Sequence, residues 1–220
     1  MRISAELSDI ARLGGFFAIA VGGRTAGWQP ITRCYTDGFA DLVEATAQRS
    51  GTTDRRAAAS LVQFSLASRL WSPAIACAVS HGIVPDFIGL HRADGSADLL
   101  LPAPTGVRVD SEQQLVQALY EAAVQRNLEP FADGLGVKLA PGLLYGNAAS
   151  AMVAATHSLY GMRPDLRDHA TRVARALLQT GKLADTGTVK GNLAFRRRSC
   201  CLYYRIADGS KCADCGLVKR

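Results

Sequence analysis

The stretch Leu139–Met162, LAPGLLYGNAASAMVAATHSLYGM, decides the fold because it carries no charged residue and is long enough to cross a bilayer. Pro141, Asn147, His157 and three glycines interrupt it, and they make a poor membrane span. It reads instead as a buried, alanine-rich helix, roughly Leu143 to Tyr160. Outward from it, Leu166 to Thr180 has helical spacing, with Asp165 as the expected cap and Gly181 as the stop. On the other side, Ser111 and Gln114 have the form of a capping box that opens a helix with Leu115, Leu119 and Ala122 in register.

Nearer the N-terminus, Phe39, Leu42, Val43 and Ala47 recur at helical spacing between Asp37 and Arg49. Asp54 is placed to cap a further helix carrying Ala58, Leu61, Val62, Leu66 and Leu70, which Pro73 is expected to kink or restart. Two β-like runs, Phe87 to His91 and Asp98 to Leu101, flank the turn residues Ala93-Asp94-Gly95-Ser96 and predict a hairpin. Phe16 to Val21 reads as another strand, after a short N-terminal helix. These elements predict an α+β fold, predominantly helical with a small antiparallel sheet.

Hydrophobic residues make up 48% and charged residues 20% of the 220, the balance of a chain that buries a full core. Glu6 and Asp9 interrupt the region that a secretory signal keeps basic, so the chain reads as unexported and cytoplasmic. Its net charge of +6 is unevenly spread. From Lys190 onward Lys190, Arg196, Arg197, Arg198, Arg205, Lys211, Lys219 and Arg220 face only Asp208 and Asp214, while the rest of the chain is balanced. A nucleic-acid patch is one reading of such a tail. It ranks lower, since no helix-turn-helix, RRM-like or finger pattern accompanies the charge.

Beside that charge stand Cys200, Cys201, Cys212 and Cys215, whereas Cys34 and Cys77 are isolated and read as small core residues. In an unexported chain, clustered thiols indicate metal or redox chemistry rather than disulfides. Cys212 and Cys215 are spaced so that one tight turn presents two sulfurs, and Gly216 is read as leaving that turn through positive φ. Cys200 and Cys201 are adjacent, so in an extended segment they point to opposite faces. That disfavours a zinc ribbon and favours a larger dinuclear 2Fe-2S cluster, although four thiolates suit both metals. A boundary near Asn192 divides the expectation into a helical body, residues 1–191, and a short cysteine-ligated metal subdomain, residues 192–220. The latter is too small for a core of its own and must dock on the body.

The run Phe195 to Arg205, continued to Cys212-Ala213-Asp214-Cys215, resembles the C-terminal signature of the FhuF-type ferric siderophore reductases, whose hallmark is C-C-x10-C-x2-C. Ser68 to Pro73 and Leu144 to Ser150 are similar to the same family, with Tyr145 where tryptophan is usual. The resemblance implies one-electron reduction of ferric iron held by a siderophore, hydroxamates among the chelator types, in the cytoplasm. Ferrous iron is held far more weakly by hard oxygen donors and is released.

Arg196, Arg197, Arg198, Arg205 and Lys211 are candidates for tuning the cluster or docking an acidic donor. Arg69, Trp71, Tyr145 and Asn147 are candidates for contacting the chelate. Neither a G-x-G-x-x-G after a strand nor a P-loop is present, so a separate ferredoxin or flavin reductase is the expected electron source. The histidines show no ligand spacing, and Gly146-Asn147 reads as a helix start. Two other readings compete: a binding protein with a structural zinc knot, and a general 2Fe-2S electron carrier or redox sensor.

Overall fold

Two long helices with alanine-rich contact faces, α4 (Arg55–His81) and α7 (Pro141–Met162), pack along one another and carry the rest of the structure. Ala57, Ala58, Ala59, Ala67 and Ala74 on α4, and Ala148, Ala149 and Ala151 on α7, are all buried. Such small side chains let helix axes approach closely. The computed structural model describes residues 1–218. Lys219 and Arg220, counted above in the basic tail and the 192–220 segment, lie outside the described residues.

The preceding elements are helix α1 (Ser4–Ala11), strands β1 (Ala20–Val21) and β2 (Trp28–Pro30), and helices α2 (Ile31–Thr36) and α3 (Ala40–Arg49). After α4 come β3 (Ile83–Pro85), β4 (His91–Ala93), β5 (Leu99–Leu101) and β6 (Gly106–Arg108). Helix α5 (Glu112–Tyr120) then runs through a π-helical stretch, Glu121–Leu128, into α6 (Glu129–Gly134). Helix α8 (Arg167–Leu177) follows α7, and the hairpin β7 (Gly187–Val189) and β8 (Phe195–Arg197) leads to the cysteines. The four-stranded sheet has the order β1-β5-β4-β2, parallel only between β1 and β5. Two-stranded ladders β3–β6 and β7–β8 are antiparallel. The fold is α+β, as the sequence pattern predicts.

The cap on α4 is the expected one. Asp54 accepts hydrogen bonds from the Arg56 and Ala57 amides at 3.0 and 3.3 Å. The helix runs unbroken through Pro73, against the expected restart, because Pro73 is buried within a helix whose neighbours are packed on it. The charge-free stretch forms α7, buried along most of its length, and among the described residues no helix is long and apolar enough to cross a membrane. The predicted hairpin is present as β4–β5, with His91 opposite Leu100, but Phe87 adopts φ of 54° and the first strand begins only at His91.

Other expectations give way to local hydrogen bonding. Asp165 does not cap α8; its carboxylate is held by Arg163, and Leu166 takes the cap position. Of the stretch Phe16 to Val21 only Ala20–Val21 forms a strand, after a 3-10 turn at Gly15–Phe17. Gly146-Asn147 does not start a helix but lies inside α7, which begins at Pro141. The boundary near Asn192 falls in the turn of the β7–β8 hairpin, where Asn192 has φ of 53°, so strands on its two sides pair. Cys34 and Cys77 are buried, as expected.

Asp54 also binds Arg205 of the cysteine segment, Nη1 to Oδ2 at 2.8 Å, and that hydrogen bond holds its carboxyl below the usual range. Asp54→Ala removes both the cap and the bridge and is expected to destabilise the chain by about 1–2 kcal/mol. Asp54→Asn keeps a capping oxygen and should lose less than half of that, measured as urea unfolding midpoints.

Candidate iron-sulfur site

The cysteine segment lies against α4 and α7 through a chain of buried polar contacts. Ser60 on α4 donates its hydroxyl to the Cys201 carbonyl at 2.7 Å. Asn147 on α7 donates to the Ser60 carbonyl and hydroxyl at 3.2 and 3.0 Å, and its oxygen accepts from Arg197 Nη1 at 2.8 Å. Arg197 Nη2 donates to Asp214 Oδ1 at 2.9 Å, and Ser150 on α7 donates to the other carboxylate oxygen at 2.5 Å. The Arg197 amide also bonds the Asp214 carbonyl at 2.9 Å. Thus β8 and the Cys212–Cys215 turn are joined to each other and to both central helices. A segment this short is held in place by docking rather than by its own core.

Two glycines make room for this approach. A Cβ on Gly216 would stand 2.7 Å from the Arg197 carbonyl oxygen and 3.0 Å from that of Arg198. Gly216 is therefore required by close backbone contact, and not by the positive φ that the sequence suggested. Gly146, inside α7, faces the Ser199 hydroxyl, which would collide with any side chain there.

Two of the four thiols meet directly: Cys201 Sγ lies 3.1 Å from Cys212 Sγ. Cys200, adjacent to Cys201, and Cys215, three residues beyond Cys212, flank that contact in sequence. Cys201 and Cys215 are buried, and Cys200 and Cys212 are half-buried. Burial, with Cys201 next to it, pushes the Cys212 thiol up to about 12. Burial also raises Cys200, against the pull of the Leu202 amide, which donates to its sulfur at 3.3 Å. Metal binding to such thiols displaces their protons. Among the described residues no group of three or more His, Cys, Asp or Glu side chains converges as a single ion requires.

The surroundings suit a cluster of sulfur atoms. Arg197 Nε and Ser199 Oγ are buried donors with no partner among the described residues, and both belong to the segment that carries the thiols. Sulfide and thiolate sulfurs accept hydrogen bonds from such groups.

The sequence-predicted basic residues do different things here. Arg197 is buried, while Arg198 pairs with Asp185 at 3.3 Å and Arg205 with Asp54. Arg196 and Lys211 form no ion pair among the described residues. The four candidates for chelate contact are not brought together. Trp71 and Asn147 have no exposed surface, and Asn147 spends its amide on Ser60 and Arg197. Arg69 lies over the Phe16 ring and reaches Asp98, and Tyr145 sits with Glu129 and Lys182.

Beside the cysteine turn is instead a cavity of about 420 Å³, lined by Phe64, Ser150, Val153, His157, Phe195 and Asp214 among others. Its neighbour, about 540 Å³ between α4 and α7, shares Phe64 and Ala154 with it. Asp214 was accessible to sequence reasoning from its place between two cysteines. Ser60, far away in sequence, carried no such signal.

Residues 197–216 match the family model for the FhuF 2Fe-2S C-terminal domain. No curated protein matches the chain. With the clustered cysteines, the match identifies the cofactor as a 2Fe-2S cluster.

Replacing Gly216 by Ala should displace the turn from β8 and cost about 1–3 kcal/mol in the iron-free chain. Iron and sulfide per chain, assayed beside a urea melt, should both fall. Asn147→Ala is expected to cost about 1–3 kcal/mol by leaving Arg197 and Ser60 short of a partner.

Proposed function

We propose that this iron-sulfur protein is a ferric-siderophore reductase, in which Cys200, Cys201, Cys212 and Cys215 hold the 2Fe-2S cluster and a chelated ferric ion receives its electron. The observation that carries the reading is the Cys201–Cys212 contact at 3.1 Å in a segment whose turn lines a cavity large enough to admit part of a chelate. Four clustered thiolates suit a dinuclear cluster, and the match of residues 197–216 to a 2Fe-2S domain model supports it over a structural zinc ion. The cluster supplies electrons one at a time, which is the number a ferric ion needs to become ferrous.

The chain's own residues then position the exchange. Arg197, Asp214 and Asn147 fix the cysteine turn on α7, so its outer side, at Ala213 and Asp214, forms one wall of the cavity. Phe64, Val153 and Phe195 offer an apolar lining to the organic body of a chelator, and Ser150 and His157 add polar groups. A ferric centre seated there is close to the thiolate turn without displacing it. Reduction weakens the hold of hard oxygen donors on iron, and the ferrous ion leaves. The electron comes from a separate protein, a ferredoxin or a flavin reductase. Arg196 and Lys211 suit the docking of an acidic donor, and the reaction belongs to the cytoplasm, where thiols stay reduced.

An anaerobic visible and EPR spectrum, taken before and after dithionite and then after one equivalent of a ferric hydroxamate, tests this. The reduced protein should show a 2Fe-2S signal that disappears as ferrous iron forms in matching amount. A colourless, zinc-loaded chain contradicts the reading. A cluster that no ferric chelate reoxidises leaves an electron carrier in place of a reductase.

A further inference from the structure

We infer that Arg197 is a built-in counter-cation for the cluster, and that it eases the entry of the incoming electron by raising the cluster's potential. The inference rests on the four thiolates being the cluster ligands, as proposed above.

Arginine is almost never buried without a partner, and the side chain of Arg197 is 1% exposed. Its terminal nitrogens are accounted for by Asp214 and Asn147. The third donor, Nε, is buried and has no partner among the described residues. A guanidinium placed only to tie β8 to α7 would have this donor satisfied as well, since buried unpaired donors are costly. It belongs instead to a guanidinium held on Asp214, between Cys212 and Cys215. Burial opposes the charge on Arg197, and Asp214, Cys201 and Cys212 outweigh that opposition.

Arg198 and Arg205 are partly exposed and engaged with carboxylates elsewhere, where solvent screens them. Positive charge in a dry site acts far more strongly than on the surface. Two ferric ions, two sulfides and four thiolates carry two net negative charges, and reduction adds a third. A buried cation in the same segment stabilises that added charge. No bond forms or breaks in this step: one electron enters from the donor protein, and Arg197 keeps all its protons.

The test is a potentiometric titration of the iron-loaded protein, followed by EPR, with iron and sulfide assayed for each variant. Arg197→Met should lower the equilibrium constant for reduction at least tenfold, which is about 59 mV for one electron. Arg197→Lys, which keeps the charge, should recover most of the loss, and Arg198→Met should leave the potential unchanged. A purely structural Arg197 would give variants with less cluster but the same potential, and that result overturns the inference. If Arg197→Met holds no cluster, Asn147→Asp replaces it: a carboxylate against Nη1 offsets the guanidinium, and an unmoved potential is again contrary. Absence of any 2Fe-2S signal in the parent protein would instead defeat the ligand assignment, a distinguishable failure.

Discussion

Taking a guanidinium out of water costs several kcal/mol, and the cost is recovered only where fixed partners meet its donors. Arg197 meets that condition through Asp214, in the cysteine turn, and Asn147, in the middle of α7. Because Asp214 and Asn147 lie on different parts of the chain, the same contact fixes the turn to β8 and both to the helical body. Ser150 holds the other oxygen of Asp214, and Ser60 extends the contact to the Cys201 carbonyl. Breaking a buried pair from one side costs about 3–5 kcal/mol, so the segment moves with the body or not at all.

The helices beneath are shaped for this docking. Alanines bring α4 and α7 together, and Gly146 leaves a gap in α7 into which Ser199 fits. Gly216 lets the turn lie on the backbone of β8. A second attachment, Arg205 on Asp54 with the Ala207 amide on the Ser50 carbonyl, ties the loop between the two cysteine pairs to the start of α4. The loop is thus fixed at both ends and near its middle, which suits a cluster whose four ligands come from two short stretches.

The sequence made the cysteine site legible because the ligands are local: two adjacent thiols and a two-residue-spaced pair constrain each other within one short segment. Helices with strong periodicity, such as α3 and α8, were legible for the same reason. What failed depended on distant partners. Asn147 looked like a polar group on offer to a substrate, yet its contacts are with Ser60 and Arg197, far away in the chain. Asp165 looked like a cap and was taken by Arg163. Five basic residues looked alike in sequence, and only tertiary structure separates the buried Arg197 from Arg198 and Arg205, which are paired at the surface.

Hydrogen exchange on the iron-loaded chain tests most directly whether the cysteine segment is part of the body's fold. The amides of Arg197, Arg198 and Cys215, bonded to Asp214, Thr186 and Cys212, should be protected to the same degree as those in the middle of α7 and open together with them. Exchange of the three at rates typical of a free peptide, while α7 stays protected, would show the segment to be an independent appendage and contradict the account.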